Sequence, residues 1–231
     1  TGSEGTCLQL QKDQKILAGG MIYDGINANF ALVRYLPSGK PDSSFGLNGI
    51  VTTDFGSNND RANAISLQSD GKILLAGSTT STDQTSFAIS RYQMDGHPDL
   101  SFNQTGTLIL NIADAEINIA KVIKLQNDGK ILVGGFLKPT KFNNSFFALF
   151  RLNADGSLDS GFSTDGKLVL DLNNESNDIS DFIFLANDQI LLAGNSFDGV
   201  SNKFTTILIS GDGSLQKAYG INGFATFNAG S

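Results

Sequence analysis

Apolar residues in this chain run in short blocks that return at a long period. "KILAGG" at 15–20 comes back as "KILLAG" at 72–77, "KILVGG" at 130–135 and "QILLAG" at 189–194. Their last glycines, Gly20, Gly77, Gly135 and Gly194, are therefore 57, 58 and 59 residues apart. Ahead of the block lies a short alternating stretch, such as "AISLQ" at 64–68 or "VIKLQ" at 122–126, and then a turn, "SDGK" or "NDGK". Behind it lies a second alternating stretch: "FALVRY" from Phe30, "FAISRY" from Phe87, "FALFRL" from Phe147 and "FTTILI" from Phe204. Side chains alternate along a strand, so Phe87, Ile89 and Arg91 share one face, and Ala88, Ser90 and Tyr92 the other. A last apolar stretch, "IVTTDF", "TLILNI", "KLVLDL" or "FATFNA", closes each period.

The pattern predicts four strands per period and no helix. The unbroken apolar block reads as a strand covered on both faces. The Asp-Gly pair reads as a two-residue hairpin turn that needs positive φ. Four antiparallel strands repeated every 57–60 residues define a β-propeller blade. A single twisted blade would leave both faces wet, so neighbours must cover them. The expectation is an all-β chain forming one domain over 1–231, with blades at about 3–59, 60–116, 117–177 and 178–231. Four blades either close into a ring or form an arc. An arc is completed by further repeats, or by a second copy in a homodimer that makes an eight-bladed ring.

One recurrence is chemical. Arg34, Arg91 and Arg151 each stand eight residues before an Asp: Asp42, Asp99 and Asp159. In the fourth period both are gone together, replaced by Leu208 and Gln216. Joint loss is what a buried pair predicts, because removing one partner strands the other charge. The residues are expected to form a structural Arg–Asp staple within each of three blades, fixing the connection from strand three to strand four. The rival reading makes them a ring of guanidinium groups facing a ligand.

"SDGKILLAG" and "FALFRLNADGSLDSGF" resemble the bacterial delta-60 repeat, which occurs in tandem in many surface-associated proteins. The layout is also similar to the kelch repeat: a glycine pair closing strand two, an "RY" strand, then a large aromatic. That aromatic is Phe45, Phe102, Phe162 or Tyr219 here, where kelch has Trp. The resemblance implies a propeller and an extracellular or cell-surface location. It implies no activity.

Composition narrows the function. A net charge of −7 and a pI near 4.6 repel phosphate backbones and anionic lipid, so neither nucleic acid nor membrane insertion is expected. "TGSEG" at 1–5 carries neither the basic start nor the apolar core of a signal peptide. Cys7, the only cysteine, reads as core filler. His97, the only histidine, lies in a turn beside Gly96 and Pro98, away from any nucleophile. Asn153, Asp155 and Asp159 are spaced like the start of a calcium loop, but no bidentate Glu closes it. They read as a solvated turn, and no cofactor is expected.

The loops between strands two and three differ in every blade, as do the connections between blades. Both sets lie at one end of a propeller. That end collects most of the acids, among them Asp24, Asp54, Asp60, Asp83, Asp114, Asp178 and Asp198. Variable loops on a constant scaffold are where binding resides. Tyr23, Asp24, Asn29, Asp83, Phe136, Phe142, Asn143, Phe197 and Asp198 are the ligand-binding candidates. The function expected is a non-catalytic binding or adhesion module for a protein or carbohydrate. The alternatives are a carboxylate-dependent polysaccharide enzyme and a spacer without a ligand.

Overall fold

The computed structural model describes residues 2–57, 59–82, 84–141, 144–172, 176–197 and 199–228. Among them are sixteen strands in four antiparallel units. The first holds β1 (Gly2–Leu10), β2 (Ile16–Tyr23), β3 (Ala28–Tyr35) and β4 (Ile50–Thr53). The second holds β5 (Asn59–Leu67), β6 (Ile73–Thr80), β7 (Thr85–Tyr92) and β8 (Thr107–Leu110). The third holds β9 (Ala115–Leu125), β10 (Ile131–Pro139), β11 (Phe146–Leu152) and β12 (Lys167–Leu170). The fourth holds β13 (Ser176–Phe184), β14 (Ile190–Phe197), β15 (Asn202–Ile209) and β16 (Phe224–Phe227). Within each unit every strand pairs with the next in sequence. Single parallel bridges, Ala28 to Asn59 and Thr85 to Ile117, join the first unit to the second and the second to the third.

β6 is buried on both faces for nearly its whole length, as its unbroken apolar run requires. The alternation of β7 also holds: Phe87 and Ile89 face the third unit, Ala88 and Tyr92 the first. The hairpin turns differ from the expected two-residue form. Gln68 N–H donates to the Lys72 carbonyl at 2.9 Å, and Gly71 N–H to the Gln68 carbonyl at 3.0 Å. In this turn and its counterpart, Gly71 (φ 87) and Gly129 (φ 85) adopt positive φ, while the residues just before them do not. This is a three-residue loop, a type I turn followed by a left-handed glycine.

The recurring second glycine has another cause. Each first strand carries a bulge opposite it, between Gly5 and Cys7 in β1 and between Ala62 and Ala64 in β5. The bulge pushes a carbonyl against the facing glycine. A Cβ on Gly20, Gly77 or Gly135 would lie 1.9 Å from the carbonyl oxygen of Glu4, Arg61 or Ile119.

Packing is between units, in three hydrophobic clusters. Leu17, Phe30, Leu32 and Phe45 of the first unit meet Ala62, Ile73 and Leu75 of the second. Leu74, Phe87, Ile89 and Phe102 meet Ala120, Ile131 and Val133. Leu132, Phe147, Leu149 and Phe162 meet Ile179, Phe182, Ile190 and Ile207. Among the described residues no cluster joins the fourth unit to the first, so the closed ring does not appear. Leu8 on β1 is 72% exposed, and Phe204 on β15 is 66% exposed although its counterparts Phe30, Phe87 and Phe147 are buried.

Candidate functional site

Each Arg–Asp pair forms, with Nε to Oδ2 distances of 2.9 Å for Arg34–Asp42, 2.7 Å for Arg91–Asp99 and 2.6 Å for Arg151–Asp159. Lys15, Lys72 and Lys130, from the start of the apolar block, reach the same carboxylates at 3.2, 3.4 and 2.6 Å. Each guanidinium lies over an aromatic ring of its own unit: Phe45 at 4.4 Å, Phe102 at 4.8 Å and Phe162 at 4.8 Å. Cation, carboxylate and ring are all buried.

The fourth unit shows what these side chains are for. It keeps the backbone bonds of the connection: Gln216 N–H donates to the Leu208 carbonyl at 2.9 Å, as Asp99 N–H does to the Arg91 carbonyl at 2.9 Å. Tyr219 N–H and Gly223 N–H repeat the bonds of Phe102 and Gly106. The connection therefore forms without the ion pair, and fixing it is not the distinctive role of the Arg.

That role lies across the unit boundary. The Nη1 of Arg34, Arg91 and Arg151 donates to the carbonyl of Met94, Ala154 and Gly211 respectively, in the turn after the third strand of the following unit. Beside it, the N–H of Gly46, Asn103 or Ser163 donates to the carbonyl of Asp95, Asp155 or Asp212, each at 2.8 Å. The glycine of the same turn sits against the ring: a Cβ on Gly96, Gly156 or Gly213 would lie 3.0, 2.9 or 3.2 Å from Phe45, Phe102 or Phe162. Arg, Asp, Phe and turn Gly together clamp each unit to the next. The sequence showed the recurrence but not its direction, because the acceptors are carbonyls, which no side-chain pattern marks.

A second set of ties runs between the first strands. Thr6 Oγ donates to the Ala62 carbonyl at 2.6 Å, and Asn63 Nδ2 to the Ala120 carbonyl at 2.9 Å; both donors sit at bulges. Arg61 grips Glu4 with both nitrogens at 2.6 and 2.7 Å, and Lys124 reaches Asp181 at 2.5 Å.

The clamp carboxylates stay ionised well into acid. Hydrogen bonds from Ser44, with Lys15 and Arg34 nearby, hold Asp42 far below the usual carboxylate range. Burial pushes Asp99 up, but Ser101, Arg91 and Lys72 outweigh it and the net shift is downward. Lys130, the Gly161 amide and Arg151 lower Asp159. A depressed carboxylate stabilises the fold fully above its unfolded pKa, about 3.9, and the effect is lost as pH falls through the folded value. The unfolding midpoint is therefore expected to fall steeply below about pH 4. Thermal melts from acid to neutral pH check this, and the triple variant Asp42→Asn, Asp99→Asn, Asp159→Asn should show a shallower acid limb.

At the loop end, three binding candidates come together. Tyr23, Asp24 and Asn29 line a hollow of about 540 Å3 with Ser3, Ile22 and Thr52. Asp24 accepts the amides of Ile26 and Asn27, each at 2.8 Å, and the Asn29 side chain at 3.3 Å. The two amide bonds are the main cause holding Asp24 below its ordinary pKa. Asn29 Oδ1 is buried without a hydrogen-bond partner. Phe197 ends β14 and is partly exposed, whereas Phe136 lies inside β10 rather than in a loop, with Lys121 Nζ 5.7 Å from its ring centre. Asp83, Phe142, Asn143 and Asp198 lie outside the described residues. Asp60 is fully buried rather than part of an acidic surface; it accepts Phe55 N–H at 2.9 Å and Ser57 Oγ at 2.5 Å. Burial pushes Asp178 up, against the pull of Lys121 at 3.9 Å.

The calcium candidates are engaged separately. Asp155 accepts Ser157 N–H at 2.9 Å and Oγ at 2.7 Å, Asn153 donates to Ser157 Oγ at 3.0 Å, and Asp159 belongs to the clamp. Among the described residues, no group of three or more His, Cys, Asp or Glu is placed to hold a metal ion. Cys7 packs against the first inter-unit cluster, and burial pushes its thiol up, away from a reactive thiolate. His97 is exposed beside Asp95 at 3.1 Å. No helix among the described residues is long and apolar enough to cross a membrane.

Four-stranded antiparallel units stacked face to face are the construction of β-propeller proteins. The repeats of this chain are similar to that class: residues 11–45, 68–102 and 126–162 match the family described as a domain of unknown function (DUF5122), beta-propeller. Each matched segment ends on the clamp aromatic, Phe45, Phe102 or Phe162. The segments lie in the three units that carry the clamp. No curated protein matches the chain.

Proposed function

We propose that the chain is a non-catalytic binding or adhesion module, a four-bladed arc that meets a protein or carbohydrate ligand through its variable-loop end. The delta-60 resemblance supports a bacterial surface or secreted setting. The observation that carries the reading is a division between the two ends. At one end the recurring Lys, Arg, Asp and Phe are consumed in joining units. At the other the loops differ in every unit, with Tyr23 and Phe197 exposed and Asp24 held ionised. Three inter-unit cores for four units support an arc over a closed ring.

Retention of the purified chain on an array of neutral oligosaccharides, alongside an oligolysine peptide, tests this. Binding should be lost in Tyr23→Ala with Asp24→Ala, or in Phe197→Ala, and kept in His97→Ala at the clamp end. Retention that ignores all of these, or no retention on either probe, would reject the loop end as the binding surface. Asp178 supports a second reading, since burial that raises a carboxyl's pKa shifts it toward what a general acid needs. Release of reducing ends from a polysaccharide, lost in Asp178→Asn, would establish that enzyme instead.

A further inference from the structure

We propose that the uncovered face of the first unit is the seat of one more four-stranded unit, carrying the Arg–Asp–Phe clamp and joined ahead of β1. The inference rests on the fold and not on the binding reading above.

In the second, third and fourth units, the turn after the third strand receives three groups from the unit before it. They are a guanidinium N–H, a backbone N–H and an aromatic ring on the turn glycine. The first unit has the same turn. Leu36 N–H donates to the Lys40 carbonyl at 2.8 Å and Gly39 N–H to the Leu36 carbonyl at 2.9 Å, matching Gln93 to His97 at 2.8 Å and Gly96 to Gln93 at 3.0 Å. Gly39 has φ 79 where Gly96 has φ 93. The carbonyls of Pro37 and Ser38 thus stand where those of Met94 and Asp95 do. Yet nothing lies within 4 Å of a Cβ built on Gly39, where Gly96 meets Phe45.

The face beside this turn is prepared in the same way. Leu8 and Leu10 are exposed, whereas their counterparts Ile65 and Leu67 pack into the first inter-unit core. Ala18, Val33, Tyr35 and Ile50 line a groove of about 190 Å3. At its loop end the buried Asn29 Oδ1 has no hydrogen-bond partner. β1 pairs with β2 in the register in which β5 pairs with β6, Gly2 opposite Tyr23 as Asn59 is opposite Thr80. A unit seated here would therefore meet β1 as β3 meets β5.

The chain's own fourth unit, in the same molecule or in a second copy, is the wrong occupant. Leu208 has no donor to offer Pro37, and the hydroxyl of Tyr219 is tied to Thr206 Oγ at 2.8 Å. Asp181 occupies the position from which Cys7, Ala64 and Val122 feed the three cores, and its carboxylate is tied to Lys124 of the third unit, so no apolar side chain is offered there. The face of the first unit is complete as an acceptor, and the fourth unit is not its donor.

The test adds a second copy of residues 59–115 ahead of Gly2 in the full chain and follows thermal unfolding by circular dichroism. The extended chain should melt about 5 °C or more above the original. Replacing the added copy's Arg91 with Leu should remove more than half of that gain. Gly39→Asn, which tolerates the positive φ but fills the ring's seat, should lower the extended chain's midpoint by several degrees and leave the original nearly unchanged. No gain on extension, or equal effects of Gly39→Asn in both chains, would overturn the proposal. Light scattering of the unextended chain over a hundredfold range of concentration should give a monomer. A stable dimer that Phe204→Asp dissociates would overturn the proposal too, by giving the face to the fourth unit of a second copy.

Discussion

Arg91→Ala is expected to lower the unfolding midpoint by about 6–20 °C. The loss is electrostatic in origin. Arg91 is 3% exposed and Asp99 is 2% exposed, so removing the guanidinium leaves a buried carboxylate held by Lys72, Ser101 and Gln93. Breaking a buried pair from one side costs about 3–5 kcal/mol. For a chain of this size each kcal/mol shifts the midpoint by about 2–4 °C. The change also strips the Ala154 carbonyl of its donor and the Phe102 ring of its cation, so the loss falls on the boundary between the second and third units.

A control sharpens the reading. Arg91→Leu combined with Asp99→Gln imports what the fourth unit already has, Leu208 and Gln216, with the connection intact. The double variant should be more stable than Arg91→Leu alone, because no charge is stranded. Denaturant midpoints of the four species close the cycle. If the double variant merely sums the two single losses, the pair is not the coupled element of the clamp.

The hydrophobic pattern was enough to read four strands per period, the doubly buried second strand and the face of each residue in β7, and the joint loss of both charges in the fourth period was enough to read the Arg–Asp partnership. These are local, or set by period alone. What escaped was everything decided by backbone atoms. The clamp's acceptors are carbonyls of Met94, Ala154 and Gly211, three unlike residues at one position, so nothing in the side-chain record marked the direction of the bond. Phe136 looked like loop because β10 runs on to Pro139, well past its glycines. Asp60 looked like surface charge, yet the chain folds over it and supplies Phe55 N–H and Ser57 Oγ. Asn118 and Asn177 are also buried, each near the start of its unit's first strand, so a polar side chain there belongs to the unit junction.

Gly135→Ala should be among the most damaging single-methyl changes in the chain, costing about 3–5 kcal/mol, while Gly134→Ala next to it costs under about 1 kcal/mol. Neither glycine adopts positive φ, so the difference is one of space. At Gly135 the new Cβ would fall 1.9 Å from the Ile119 carbonyl oxygen, with the Ala120 Cα at 3.0 Å. Those are backbone atoms of the bulged strand and cannot rotate away. Relief requires undoing the bulge, which carries Lys121 at the edge facing the fourth unit. At Gly134 the nearest atoms are side-chain carbons of Val122 at 3.1 Å and Phe182 at 3.2 Å, which yield by small shifts. The chain has already made that change twice, with Ala76 and Ala193 at the matching positions of β6 and β14. Urea midpoints of the two variants measure the contrast. Equal losses would mean that packing against the fourth unit, rather than the bulge carbonyl, is what calls for glycine at the end of each apolar block.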